Sequence, residues 1–199
     1  MHLQQRLPLL IFIGSRRAGR MIHQQRLVDS QPHLYSPVQT ITTRAEEKPG
    51  DDRWYVRTSR ENVARYRTSE MLTFFEEGDA LFFIPKKQVM DIRTSGRTPL
   101  VGMTPVGYER LHSRNVDVYD IPTVAVLLQP ANPYDFCDRL IHEHGLDPEK
   151  AEEEMQRAVR LSTVPPAVGK RESVVPVPIY GNASDVGLID EALAALLPP

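Results

Sequence analysis

The feature that most constrains this 199-residue chain is a short apolar segment that runs directly into a glycine-bounded loop. Residues 9–13 read LLIFI and predict a buried strand, and residues 14–21 continue as GSRRAGRM. A strand, a glycine, four residues, a second glycine, a cation and a helix follow one another at the spacing of a phosphate-binding loop. Glycines permit a tight turn with inward-facing N–H groups, and the start of the following helix favours anions. The stretch therefore predicts an α/β fold with an anion site after its first strand.

Two side chains that phosphate chemistry needs are replaced in this loop. Arg20 takes the place of the expected lysine, and Met21 takes the place of the hydroxyl residue that would hold Mg²⁺. A thioether is a poor ligand for a hard cation that prefers oxygen. The loop residues that remain candidates for phosphate or nucleotide binding are Gly14, Ser15, Arg16, Arg17, Gly19 and Arg20. An alternative stays open, because similar turns in many α/β proteins bind nothing.

The composition is that of an ordinary globular chain, with 41% hydrophobic and 25% charged residues. A net charge of −2 argues against a general binder of nucleic acid or of membrane surfaces. The single cysteine, Cys137, excludes an intramolecular disulfide and a cysteine-based zinc site, and it fits a reducing compartment. No apolar run reaches membrane-spanning length. We therefore expect a cytoplasmic protein without membrane insertion.

Strand and helix patterns alternate along the chain. Strands are predicted at residues 38–42, 54–56, 71–75, 80–84, 98–107, 123–128 and 174–180, and helices at 22–28, 58–67, from 133 onward, 148–161 and 185–197. This alternation favours an α/β sandwich with a mainly parallel sheet. His142 and His144 are two residues apart and do not share a helix face, so we predict a solvated helix end and no metal site.

Taken in this order, the motifs resemble those of guanylate kinase. Residues 40–44 (TITTR) and 48–51 (KPGD) resemble the family's serine-x-threonine-threonine-arginine stretch and its arginine-proline-glycine-glutamate turn. Residues 123–130 resemble the strand before the lid, and Asn182 with residues 190–192 resembles the final turn and helix. The resemblance implies a P-loop NTPase-like three-layer sandwich with a core at residues 1–36 and 98–199. It also implies a small inserted mixed β lobe at about 37–97, which grips GMP in the family, and a lid at about 139–160.

Only part of the family's nucleotide-binding site has matching residues in this chain. Arg44 and Lys48 remain candidates for phosphate or nucleotide binding, whereas Thr73 and Phe82 replace a guanine-binding glutamate and a phosphate-binding tyrosine. The family's aspartate-rich segment before a glutamine-glycine is replaced by residues 101–107 (VGMTPVG), which contain no carboxylate. In the lid, His144 and Glu154 stand where the family has arginines.

These losses predict a protein that does not transfer phosphate. Catalysis of phosphoryl transfer consists of positioning and charge stabilisation, and one lost electrostatic contact costs about 10²- to 10³-fold, or roughly 3 to 4 kcal/mol. We therefore expect a non-catalytic guanylate kinase-like module, without a cofactor, that binds a protein partner through an acidic or phosphorylated segment. It would suit a subunit of a larger cytoskeletal or macromolecular assembly. The alternative is a divergent guanylate kinase that uses ATP and Mg²⁺, with Arg20 acting for the lysine.

The lobe's aromatic residues suggest where the partner binds. Aromatic residues and arginine are enriched at interface hot spots, so we predict that Trp54 and Phe82 are exposed and contact the partner together with Arg44. We further predict that Phe74 or Phe75 is buried in the small core of the lobe.

Overall fold

The computed structural model describes residues 7–15, 18–45, 50–114, 121–162, 172–179 and 184–197. The strands in this part of the chain are β1 (Leu9–Ile13), β2 (Tyr35–Pro37), β3 (Thr40–Thr42), β4 (Tyr55–Arg57), β5 (Met71–Glu77), β6 (Ala80–Pro85), β7 (Thr98–Met103), β8 (Thr123–Pro130) and β9 (Glu172–Ile179). The helices are α1 (Arg20–Ser30), α2 (Arg60–Val63), α3 (Lys86–Thr94), α4 (Pro105–Arg114), α5 (Pro133–His142), α6 (Pro148–Ser162) and α7 (Ser184–Leu196).

The first sheet contains five strands in the order β2-β7-β1-β8-β9, and all of its strand pairs are parallel. The strand β1 is central and pairs with both β7 and β8. Its side chains alternate between two cores, with Leu9, Ile11 and Ile13 on one face and Leu10 and Phe12 on the other. Burial on both faces explains the unbroken apolar run. The predicted mainly parallel α/β sandwich is confirmed.

The second sheet is mixed and lies in the chain between β2 and β7. Its order is β4-β3-β6-β5, with β3 and β4 parallel and the other pairs antiparallel. Gly78, at φ 59°, forms the tight turn between β5 and β6. The predicted mixed β lobe is therefore present, whereas the domain and lid boundaries stay predictions.

Two helices were missed by the sequence analysis. The predicted strand 98–107 ends at Met103, and α4 begins at Pro105. Thr104 caps this helix, because its carbonyl accepts the Tyr108 N–H (2.9 Å) and its hydroxyl lies 3.4 Å from the Gly107 N–H. A threonine followed by proline is a favourable helix start. The helix α3 follows directly from β6 and buries Val89 and Ile92.

Two other predictions change in detail. The predicted helix at residues 58–67 is only four residues long and is capped by Ser59 rather than Thr58, since the Ser59 hydroxyl accepts the Asn62 N–H. The strand β9 tolerates Pro176 and Pro178 because it lies at the edge of the sheet. None of the described helices combines the length and the apolar character needed to cross a membrane.

Candidate ligand cleft

A cleft of about 840 Å³ lies at the carboxyl ends of β7, β8 and β9. In open α/β sheets, ligands bind in such crevices at the strand ends. The start of α1 and one face of the second sheet complete the walls. Residues from these elements that line the cleft include Gly19, Arg20, Met21, Ile22, His23, Gln24, Arg44, Tyr55, Phe75, Phe82, Gly102, Met103, Thr104, Phe136, Arg139, Ile179 and Asp185.

The glycine-bounded loop leads from β1 to α1 as predicted. The Gly14 N–H donates to the Met103 carbonyl (3.3 Å) and ties the loop to the end of β7. Ser15 is buried, and its carbonyl accepts the Ala18 N–H (3.3 Å). Gly19 has φ 78°, a left-handed conformation that favours glycine, and α1 begins at the next residue. The candidates Gly19 and Arg20 therefore line the cleft, whereas Arg16 and Arg17 lie outside the described residues.

Two buried polar residues of α1, His23 and Gln24, also line the cleft, and the sequence analysis did not single them out. The His23 ring stacks on Phe12 with a centroid distance of 6.5 Å. Burial lowers the pKa of His23 and nearby Arg26 lowers it further, while Asp185 and Asp190 partly oppose this shift. At neutral pH, the start of α1 therefore presents an uncharged imidazole.

Gln24 fills the space beside Gly102 at the end of β7. A Cβ atom built on Gly102 would lie 2.1 Å from Gln24 Nε2 and 3.0 Å from its amide carbon. The same Nε2 group is buried and donates a hydrogen bond to no acceptor among the atoms that the structure describes. A side chain at position 102 would therefore force the Gln24 amide to move from the place that it occupies.

Three residues at this end of the cleft, Met21, Gly102 and Met103, supply no oxygen-bearing side chain for a magnesium ion. Met21 and Met103 present thioethers, Gly102 has no side chain, and the Thr104 hydroxyl lies at the cap of α4. A magnesium ion prefers carboxylate, hydroxyl and water oxygens. In the described part of the chain, no three His, Cys, Asp or Glu side chains cluster in a way that could hold a metal ion.

The candidate Arg44 is held by a buried carboxylate. Its guanidinium forms an ion pair with Asp51, whose fully buried side chain also accepts a hydrogen bond from Arg57 at 2.9 Å. The same guanidinium lies over the Tyr55 ring, 4.8 Å from its centroid. Asp51 thus holds two guanidinium groups together, and Arg44 is the one of the two that lines the cleft. Lys48, the other candidate of this lobe, lies outside the described residues.

The predicted exposure of Trp54 and Phe82 is wrong. Trp54 is only 4% exposed, because it packs into the same core as Phe12 and Val28, and Phe82 is 7% exposed. The Phe82 ring stacks on Phe75 at 5.3 Å and meets Tyr55 edge-on at 6.5 Å. The two side chains are structural, and the aromatic half of the predicted partner surface does not exist. The prediction for Phe75 is confirmed, since it is buried.

The region predicted as a lid contributes both charge signs to the cleft. Arg139, Glu143 and His144 line it from α5 and the turn that follows. The Arg139 guanidinium also lies 5.9 Å from the centroid of the Phe136 ring, and Phe136 lines the cleft as well. Cys137 packs with Phe136 in the cluster between α5 and α6, as predicted for a core position.

No protein-family model and no curated protein sequence matches this chain. Its sheet order, its strand-loop-helix unit and its cleft at the strand ends define an α/β fold with a mainly parallel sheet. Among solved structures, it is similar to the crystal structure of guanylate kinase from Anaplasma phagocytophilum, with a TM-score of 0.58 and 13% identity. The match covers 96% of this chain and 87% of the other. The chain therefore has a guanylate kinase-like fold.

Proposed function

We propose that this chain is a non-catalytic guanylate kinase-like module that binds a protein partner in the cleft. The observation that carries the proposal is the contact between Gln24 and Gly102. In the resemblance to guanylate kinase, the segment with Gly102 replaces an aspartate-rich stretch. Gln24 fills the room beside Gly102, so a carboxylate side chain at position 102 would require the Gln24 amide to move. This packing supports a site that no longer carries the carboxylate.

The surface of the cleft near α1 supports a peptide rather than a triphosphate. Ile22 is 72% exposed at the start of the helix, beside Met21, in the region where phosphate chemistry would need a hydroxyl group. Met103, Phe136 and Ile179 also line the cleft but are almost fully buried. Ile22 is therefore the exposed apolar residue that this proposal assigns to the contact with a partner.

The cations of the cleft suit an acidic or phosphorylated segment of the partner. Arg44 lines the cleft and pairs with the buried Asp51, which also accepts a hydrogen bond from Arg57. Arg139 lines the opposite wall. Guanidinium groups bind carboxylate and phosphate groups through charge-assisted hydrogen bonds. We therefore expect a partner segment with apolar side chains against α1 and an anionic group near Arg44.

A kinase assay tests the catalytic half of the proposal. Purified protein is incubated with Mg-ATP and each nucleoside monophosphate, and the release of ADP is followed. We expect background rates, and turnover of about 1 s⁻¹ or more would show an active kinase. A parallel thermal-shift titration with ATP and GMP, with and without Mg²⁺, should show no dependence on Mg²⁺.

The binding half needs a matched pair of variants. Ile22→Glu places a charge on the surface of the cleft near α1, and Tyr134→Glu places the same charge on an exposed residue that does not line the cleft. The wild type and the two variants are immobilised and incubated with an extract of the source cells. The captured proteins are then quantified by mass spectrometry. We expect Ile22→Glu alone to lose specific partners, and equal capture by all three proteins would contradict the proposal.

A further inference from the structure

The second sheet has an apolar row on the face that points away from the cleft. Val56, Ile41, Phe83 and Phe74 are direct neighbours across β4, β3, β6 and β5. Their chain neighbours Tyr55, Phe82 and Phe75 line the cleft, so these four side chains point to the opposite side. Ile41 and Phe83 are buried in the middle of the row. Val56 and Phe74, at its two ends, are 41% and 43% exposed.

The segment after β4 covers only the middle of this row. Val63, at the end of α2, packs against the cluster of Ile41 and Phe83. Tyr66 stacks on the Phe83 ring at 6.0 Å but is itself 39% exposed. We call the surface formed by Val56, Tyr66, Phe74 and the row beneath them the outer face. Three large exposed side chains on one sheet face are typical of a docking surface rather than of isolated surface residues.

The charges around the outer face are balanced. Exposed charged residues on the covering segment and on β5 comprise Arg60, Arg65 and Arg67 together with Glu61, Glu70 and Glu76. A strongly acidic or strongly basic partner would meet a like charge as often as an opposite one. In a two-fold symmetric dimer, both copies present the same residues to each other. A surface with equal numbers of positive and negative side chains can then place the arginines of one copy against the glutamates of the other.

We infer that a second copy of this chain docks on the outer face and forms a two-fold symmetric dimer. The two apolar rows would bury Phe74, Val56 and Tyr66 against their counterparts, and the mixed charges would form the polar rim. The inference is independent of the proposed function, because the outer face lies on the opposite side of the second sheet from the cleft. The dimer would leave both clefts accessible.

Sedimentation equilibrium and light scattering test the dimer directly. The wild-type chain is measured at concentrations up to about 100 μM, which reveals dimers of micromolar Kd. Phe74→Glu and Val56→Glu place charges at opposite ends of the row, and both should shift the protein to the monomer mass. Tyr134→Glu and Met90→Glu change exposed side chains elsewhere and should leave the dimer unchanged. Circular dichroism and thermal unfolding confirm that each variant is folded.

Two results would overturn the inference. One is a wild-type chain that stays monomeric over the whole concentration range. The other is a dimer that survives in both outer-face variants, because its interface would then lie elsewhere. If Phe74→Glu alone fails to fold, Val56→Glu still decides the question, since Val56 lies on β4 at the other end of the row. Neither result depends on the kinase assay or on the partner-capture assay that test the proposed function.

Discussion

Gly107 in α4 lies directly against the ring of Phe75 in β5, so that a Cβ atom at position 107 would be 2.8 Å from two ring carbons. This contact joins the second sheet to the helix that begins at the edge of the cleft. Phe75 belongs to the same buried core as Met103 and Tyr108. The missing side chain of Gly107 therefore sets how closely the second sheet approaches α4.

Gly107→Ala should destabilise the protein by about 1–3 kcal/mol, because the rigid ring has to move away from an added methyl group. Urea unfolding measures the change. Gly187→Ala in α7 is the matched control, since no atom lies within 4 Å of its Cβ position. Alanine is the better helix former, so the control should be stabilised by about 0.5–1 kcal/mol. Equal effects of the two substitutions would show that the Phe75 contact is unimportant.

Asp51→Asn should cost about 3 kcal/mol of the free energy of unfolding, because it leaves the Arg44 and Arg57 guanidinium groups close together without their buried counter-charge. Thermal or urea unfolding detects the loss. Asp190→Asn is a suitable comparison, since it breaks the half-exposed ion pair with Arg26 (2.6 Å). Surface pairs of this kind contribute up to about 1 kcal/mol. A small effect at Asp51 would mean that the two arginines find other partners.

Gly102→Ala and Gln24→Ala should be strongly non-additive. The first substitution forces the Gln24 amide out of its position and should cost about 1 kcal/mol, whereas in the Gln24→Ala background the added methyl group enters space that is already empty. A double-mutant cycle from urea unfolding should give a coupling of about 1 kcal/mol. Additive effects would contradict the close contact between the two residues, and with it the observation behind the proposed loss of catalysis.

Stability should fall as the pH drops below neutral, and His23 should be one cause. The pKa of His23 is lowered in the folded protein, chiefly by burial. Between this folded pKa and the unfolded value of about 6.5, the unfolded chain binds more protons, so the free energy of unfolding rises with pH in that window. Urea unfolding at pH 7.5 and 5.5 should therefore show a smaller pH dependence for His23→Gln than for the wild type. Parallel slopes would assign the pH dependence to other groups.

The sequence predicted the first sheet well because its strands are buried on both faces. Residues 9–13 and 123–128 are apolar runs whose burial needs no knowledge of tertiary contacts, and both form central strands. The helix α4 was missed because a threonine-proline pair inside an apolar segment was interpreted as an irregular strand. Its capping hydroxyl shows that the same pair also predicts a helix start.

The candidate site was harder to predict. The buried pair His23 and Gln24 precedes Leu27 and Val28 by four residues each, which places all four on the buried side of α1. That spacing is the signal that could have found the pair. For Phe82 and Phe83, no local signal exists. Adjacent residues of a strand point to opposite faces, and only the tertiary structure decides that α4 packs on one face and that Val63 and Tyr66 cover the middle of the other.

The position of the second sheet in the chain also bears on the order in which the molecule folds. Leu10 pairs with Leu100 at the centre of the first sheet, and all four strands of the second sheet lie between them in sequence. Closing so long a loop costs entropy that a tight hairpin does not. The β5–β6 hairpin, closed at Gly78, is the most local strand pair of the described chain. By forming early, it would shorten the effective distance between β1 and β7, so substitutions at this turn should slow refolding even though they lie far from the strands that they help to join.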